Sequence, residues 1–190
     1  WNGLSAAQKA RYTESTPGTE RAYSGLAAWK AARNGVVSTV DSETCEIGEG
    51  FIDTHSANLE LDLGAASTLI VSKVDGVRSG AFHNKTVPSS FTAPTANDGY
   101  LYTSSSNYRR LLQLGGFNIS IDGIIISFLG YSAIGVEIGS SLCTLKNSII
   151  RATTNDFSKQ CVSVGGAGNI VSNNLVIGGH IGVFIAAYTG

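Results

Sequence analysis

The last third of the chain repeats itself, and this constrains the fold more than any other feature. Leu112-Gln113-Leu114 is followed 24 residues later by Val136-Glu137-Ile138. Val162-Ser163-Val164 comes 26 residues after that, and Val183-Phe184-Ile185 a further 21. Each is an apolar–x–apolar core flanked by Gly. A second column has the same offsets: Ile119 to Ile125, Cys143 to Ile149 and Asn169 to Leu175 align at shifts of 24 and 26. Recurrence at such a period marks supersecondary units that bury their apolar side only by stacking.

The stacking order follows from strand alternation. Equivalent residues in successive units should lie over one another, about 4.8 Å apart. Leu112, Val136, Val162 and Val183 form one interior row, and Leu114, Ile138, Val164 and Ile185 another. Ile121, Leu145 and Val171 form a third, and Ile125, Ile149 and Leu175 a fourth. Gly123, Asn147 and Asn173 share a corner position, where Gly and Asn tolerate a left-handed backbone. Asn147 over Asn173 is placed to form an amide ladder.

Upstream the organisation differs. Residues 1–22 are polar and read as an extended arm. Tyr23, Leu26, Trp29 and Lys30 fall at helical spacing, with Ser24 as N-cap and Asn34-Gly35 as stop. Residues 23–34 are therefore expected to be one short amphipathic helix. Short alternating runs follow at Cys45–Ile47, Leu59–Leu63 and Leu69–Val71. Residues 73–108 form a long polar excursion, a length that in a compact domain points to an insertion or a functional loop. The β-structure is thus expected over 35–190. No capping element follows the apolar run near Gly190, so the functional chain is expected to continue. The chain starts at Trp1 and contains no Met, which predicts a processed or trimmed chain.

Ile119-x-Ile121-x-Gly123-Ile124, Asn173-Asn174-Leu175-Val176 and the period of 21–26 residues resemble right-handed parallel β-helices of the pectin-lyase-like kind. The likeness covers 110–190 well and 45–72 loosely. Tyr23 to Trp29, the stretch with Arg78 and His83, and Tyr100-Leu101-Tyr102 resemble the start of β-helix proteins common in phage and bacterial sequences. The resemblance implies an all-β fold: a right-handed parallel β-helix solenoid with an N-terminal amphipathic capping helix. It also implies a virion, phage or bacterial surface setting.

Few residues suggest chemistry. Lyases and hydrolases of this fold need carboxylates on the outer face of adjacent coils, and the repeat offers none so placed. Catalysis is not the expected role. Asp122 and Lys146 share an outward column and predict an exposed ion pair. Glu43, Glu46, Glu49, Asp53, Glu60 and Asp62, with His55, read as a solvated strand face. The carbohydrate-binding candidates are Tyr100, Tyr102, Tyr108 and Arg109, beside Arg110, since aromatic faces stack on sugars and Arg pairs with carboxylated ones. The same tyrosines would equally serve to fasten the loop to the wall. Cys45, Cys143 and Cys161 lack metal-type spacing and read as buried thiols. No metal and no cofactor are expected.

Thirteen basic and fourteen acidic residues give a net charge of −1, which argues against a nucleic-acid partner. No apolar run has the length of a membrane helix, so no membrane partner is expected. Three functions remain open. The first is a structural component of a virion or extracellular appendage, with a homo-oligomer or neighbouring subunits as partners. The second is a polysaccharide lyase or hydrolase. The third is a non-catalytic adhesin that binds cell-surface polysaccharide. All three place the chain outside the cell or on a virion surface.

Overall fold

Strands three to six residues long alternate with tight corners because each apolar–x–apolar core is interrupted by Gly, Asn or Ser. The computed structural model describes residues 25–33, 42–47, 52–55, 58–62, 68–73, 100–104, 110–128, 134–153 and 159–186. These hold one helix, α1 (Leu26–Arg33), and fifteen strands. The strands fall into five successive tiers of three. The first is β1 (Ser42–Ile47), β2 (Ile52–His55) and β3 (Leu59–Leu61). The second is β4 (Thr68–Lys73), β5 (Tyr100–Ser104) and β6 (Arg110–Leu114). The third is β7 (Ile119–Asp122), β8 (Ile124–Phe128) and β9 (Ile134–Ile138). The fourth is β10 (Thr144–Lys146), β11 (Ile149–Ala152) and β12 (Gln160–Val164). The fifth is β13 (Ile170–Ser172), β14 (Leu175–Ile177) and β15 (Ile181–Ile185).

Each strand pairs with the strand three places on, always in parallel. This gives three five-stranded sheets: β1-β4-β7-β10-β13, β2-β5-β8-β11-β14 and β3-β6-β9-β12-β15. Among the described residues the fold is all-β with parallel sheets and one short helix, an arrangement compatible with a β-helix. The expected equivalences hold residue by residue. Leu112 pairs with Val136, Val136 with Val162, and Val162 with Val183. Ile121 pairs with Leu145, and Leu145 with Val171. The earlier strands join the same rows, Leu59 beside Leu112 and Cys45 beside Val71. Leu26 and Trp29 of α1 are buried in the same apolar cluster as Cys45, Leu59 and Leu61.

Two expectations change. Ile125 and Ile149 do stack, but Ile124, Ile126 and Ile150 are the residues that join the core cluster. Strand alternation therefore puts Ile125 and Ile149 on the opposite face of their sheet, where they are nonetheless buried. Ile124-Ile125-Ile126 is an unbroken isoleucine run, so period-2 patterning carries no information about which face turns in. The second change concerns the stretch 73–108. It contains Tyr100–Ser104 as β5, paired between β2 and β8, and begins with the last residue of β4. The arm 1–22, Tyr23, Ser24, and residues 74–99 and 105–108 of the excursion lie outside the described residues.

The corners repeat as faithfully as the strands. Gly123, Asn147 and Asn173 all have positive φ (88°, 52° and 53°), at one corner of three successive tiers. Asn173 Nδ2 donates to Asn147 Oδ1, and Asn147 Nδ2 donates to Asp122 Oδ1, both at 2.6 Å. One residue further on, Ser148 Oγ accepts from Ile124 N at 3.3 Å and Asn174 Oδ1 accepts from Ser148 N at 2.9 Å. Each tier thus supplies side-chain acceptors for orphan amides of the tier before it.

Two substitutions test this packing. A Cβ on Gly135 would lie 2.6 Å from Phe128 Cε1, inside the core. Gly135→Ala is expected to lower stability by about 1–3 kcal/mol in denaturant unfolding through overpacking. Asn147→Ala removes two ladder hydrogen bonds and places a Cβ-bearing residue without a polar group at positive φ, an expected loss of about 2–4 kcal/mol. Asn147→Gly keeps the backbone relaxed and should recover about 1 kcal/mol of that loss.

Candidate functional site

The outward faces carry whatever chemistry the chain has, because the inward positions are filled by aliphatic rows. On the third sheet the x positions stack as Glu60, Gln113, Glu137, Ser163 and Phe184. Arg110 joins this column from the start of β6. Its Nε pairs with Glu137 Oε2 on the next tier, and its Nη1 donates to Gln113 Oε1 at 3.2 Å. Arg110 reaches that face because Leu111 and Leu112 are both buried. Leu111 and Leu112 both belong to the core cluster, so two consecutive side chains turn inward at this point of β6. The Glu60 side chain lies across Gly115, where a Cβ would collide with its carboxylate. The result is a strip of carboxylate, amide, guanidinium and hydroxyl groups along one sheet. It can exchange hydrogen bonds with hydroxyls or carboxylates of a ligand. The Arg110–Glu137 pair is partly exposed and contributes about 0–1 kcal/mol to stability.

Sequence reasoning listed Glu60 among the acidic residues but did not place it in this strip. The insertion between β4 and β5 breaks the period, and Glu60 stands 53 residues before Gln113. The usable signal was the motif itself, since Leu59-Glu60-Leu61 has the form of Leu112-Gln113-Leu114. Among the four proposed carbohydrate-binding residues, Tyr100 and Tyr102 lie on β5. Their register partners on β8 are Ile124 and Ile126, positions that face the core in that tier. Tyr108 and Arg109 lie outside the described residues.

The Asp122–Lys146 pair forms, with Oδ2 and Nζ 3.4 Å apart. Contrary to the exposed pair expected, Asp122 is buried, because the corner folds it under the Asn147 amide.

Cys45, Cys143 and Cys161 are buried and form no disulfide with one another. Cys143 Sγ donates to Gly116 O at 3.2 Å, and Cys161 Sγ to Gly178 O at 3.4 Å. Burial pushes both thiols above the ordinary range. Backbone hydrogen bonding at Ile119 opposes this for Cys143; for Cys161, hydrogen bonding at Ala152 and the charge of Lys159 do so. Lys159 is itself fully buried. Among the described residues no group of three or more His, Cys, Asp or Glu is placed to hold a metal ion. Among them, too, no helix is long and apolar enough to cross a membrane. Comparison with protein-family models, curated proteins and solved structures finds no match to this chain.

The raised thiols fix the sign of a pH effect. Above the ordinary thiol pKa the unfolded chain loses these protons while the folded chain keeps them, so stability falls as pH rises toward the folded values. Denaturation midpoints measured from neutral to alkaline pH should decline through that range. The decline should shrink in Cys143→Ala/Cys161→Ala. A slope unchanged in the double variant would assign the decline to other groups.

Proposed function

We propose that the chain is a right-handed parallel β-helix of the pectin-lyase-like kind, capped at its N-terminal side by α1. We propose further that it serves as a structural component of a virion or extracellular appendage, with neighbouring subunits as partners. The observation that carries this reading is the pairing of every described strand with its neighbour three places away. Such a body exposes strand edges only at its two axial ends. Bending it requires all three sheets to deform together, and few backbone segments are open to proteases. Stiffness of that kind suits a rod, spike or surface decoration.

The lyase or hydrolase reading requires carboxylates on neighbouring tiers. Within the described strip, Glu60 and Glu137 stand two tiers apart with Gln113 between them. Glycan binding without catalysis is the second reading, and the mixed strip of Glu60, Gln113, Glu137 and Arg110 favours it. A polysaccharide bearing hydroxyls and carboxylates finds acceptors, amide donors and a guanidinium there.

An antibody raised against the chain tests the structural role. Immunogold labelling of purified particles or surface appendages from the source should decorate them at regular positions. Label confined to the soluble intracellular fraction would overturn the proposal. A glycan array separates the second reading. Binding by the native chain that is lost in Gln113→Ala or Arg110→Ala, with folding intact, supports an adhesin. Cleavage of any arrayed polysaccharide would return the enzyme reading.

A further inference from the structure

Asparagine side chains tie the corners together, with one exception. Asn147, Asn169, Asn173 and Asn174 each direct the side-chain amide to another tier. Asn118 also stands at a corner, at φ 57°, and is half-buried. Among the described residues no hydrogen bond engages its side chain. Asn118 opens the triplet Asn118-Ile119-Ser120, which has the Asn-x-Ser form of an N-glycosylation acceptor. The triplet enters β7, where Ile119 is buried and Ser120 is half-buried in an outward column with Thr144. The core therefore takes the middle residue and leaves Asn118 and Ser120 both open in part to solvent.

A second observation falls at the same corner. Phe117 is 44 % exposed and Leu142 is 57 % exposed. Phe117 leads into the third tier and Leu142 into the fourth, and each of these tiers has a described tier on either side. Their exposure is therefore lateral. Leu142 takes in the fourth tier the place that Asn118 has in the third, and holds it at a strained φ of 60°. The Leu142 side chain leans along the axis over Gly168, where a Cβ would lie 2.8 Å from Leu142 Cδ2. Asn118 thus has Phe117 before it in sequence and Leu142 beside it along the axis, about 4.8 Å on. Sugar rings carry apolar C–H faces, which gain by covering aromatic and aliphatic side chains.

From this we propose that Asn118 is an N-glycan acceptor, and that the first sugars of the glycan lie over Phe117 and Leu142. The donor is an oligosaccharide linked to a lipid through a diphosphate. Asn118 Nδ2 bonds to the anomeric carbon of the first sugar and gives up one proton. The bond from that carbon to the diphosphate oxygen breaks, and the lipid diphosphate leaves with the electron pair. Nothing is oxidised or reduced. A transferase carries out the step, and this chain supplies the acceptor. Sugar is here attached covalently, so the inference stands apart from the glycan-binding strip of the third sheet. It holds whether the chain builds an appendage or binds polysaccharide.

The full chain purified from its source tests it. Peptide mapping by mass spectrometry should find a sugar-bearing peptide at Asn118. Peptide N-glycosidase in heavy-oxygen water should convert that residue to a labelled Asp. Asn84-Lys85-Thr86 matches the same pattern outside the described residues, so the map must assign the site. Ser120→Ala, made in the source, should abolish occupancy at Asn118, and Ser120→Thr should retain it. Removing the glycan from the folded chain should increase binding of a dye specific for apolar surface. Phe117→Ser/Leu142→Asn should lose that increase. An unmodified Asn118 in the chain from its source overturns the proposal, and so does a glycan at Asn84 alone. Dye binding unchanged by removal of an Asn118 glycan overturns the covering of Phe117 and Leu142.

Discussion

Parallel pairing in register between tiers is the constraint on which the rest of this molecule depends. It sets every residue about 4.8 Å from its equivalent above and below. Apolar residues gain from that arrangement, since like rows interdigitate into one core. Like charges lose by it. Two carboxylates at that spacing repel by about 1–3 kcal/mol at surface dielectrics. The polar columns show how the conflict is resolved. Gln113 separates Glu60 from Glu137, and Arg110 crosses tiers to meet Glu137. At the corner, Asp122 is followed by Asn147 and Asn173, amides that both donate and accept. The composition of each column is what one-dimensional stacking permits.

Corners carry the second constraint. Two corner positions repeat a left-handed backbone in the last three tiers, filled by Gly123, Asn147 and Asn173 on one side and by Asn118, Leu142 and Gly168 on the other. Leu142 is the exception in type. A leucine at φ of 60° costs about 1–2 kcal/mol relative to Gly. It is also exposed. The corner holds because its neighbours determine it: Leu142 N donates to Ala167 O at 3.0 Å, and Cys143 N donates to Asn169 Oδ1 at 2.8 Å. Tier-to-tier hydrogen bonding thus imposes a conformation that the local sequence opposes.

The same two constraints explain what could be read from residues alone. Where the period runs unbroken, from Leu112 to Ile185, pairing and corners followed directly, including the amide contact of Asn147 with Asn173. Between β4 and β5 the inserted stretch destroys the period. The strand Tyr100–Ser104 and the place of Glu60 beside Gln113 were hidden for that reason, although their local motifs were present. The facing of β8 was hidden differently. Alternation identifies a buried face only by contrast, and three consecutive isoleucines offer none. Arg110 was visible as a charged residue, but its turn toward Glu137 goes with two consecutive inward side chains, which have no signature beyond Leu111-Leu112.

Facing also decides where this chain can meet other molecules. On the outer face of the second sheet, Ile125 and Ile149 point away from the core and are still buried, while Ser127 and Arg151 beside them are half-buried. The first sheet turns Ser120 and Thr144 outward, short hydroxyls that bring little reach. The third sheet sets Glu60, Gln113 and Glu137 of three successive tiers in one line, with Arg110 beside them. Under the glycan-binding proposal, that line is the surface a polar ligand lying beside the axis would contact. The fifth tier differs chemically from that line, with Val183, Phe184 and Ile185 exposed. Stacking in register thus separates two kinds of surface by geometry, polar columns beside the axis and apolar rows along it.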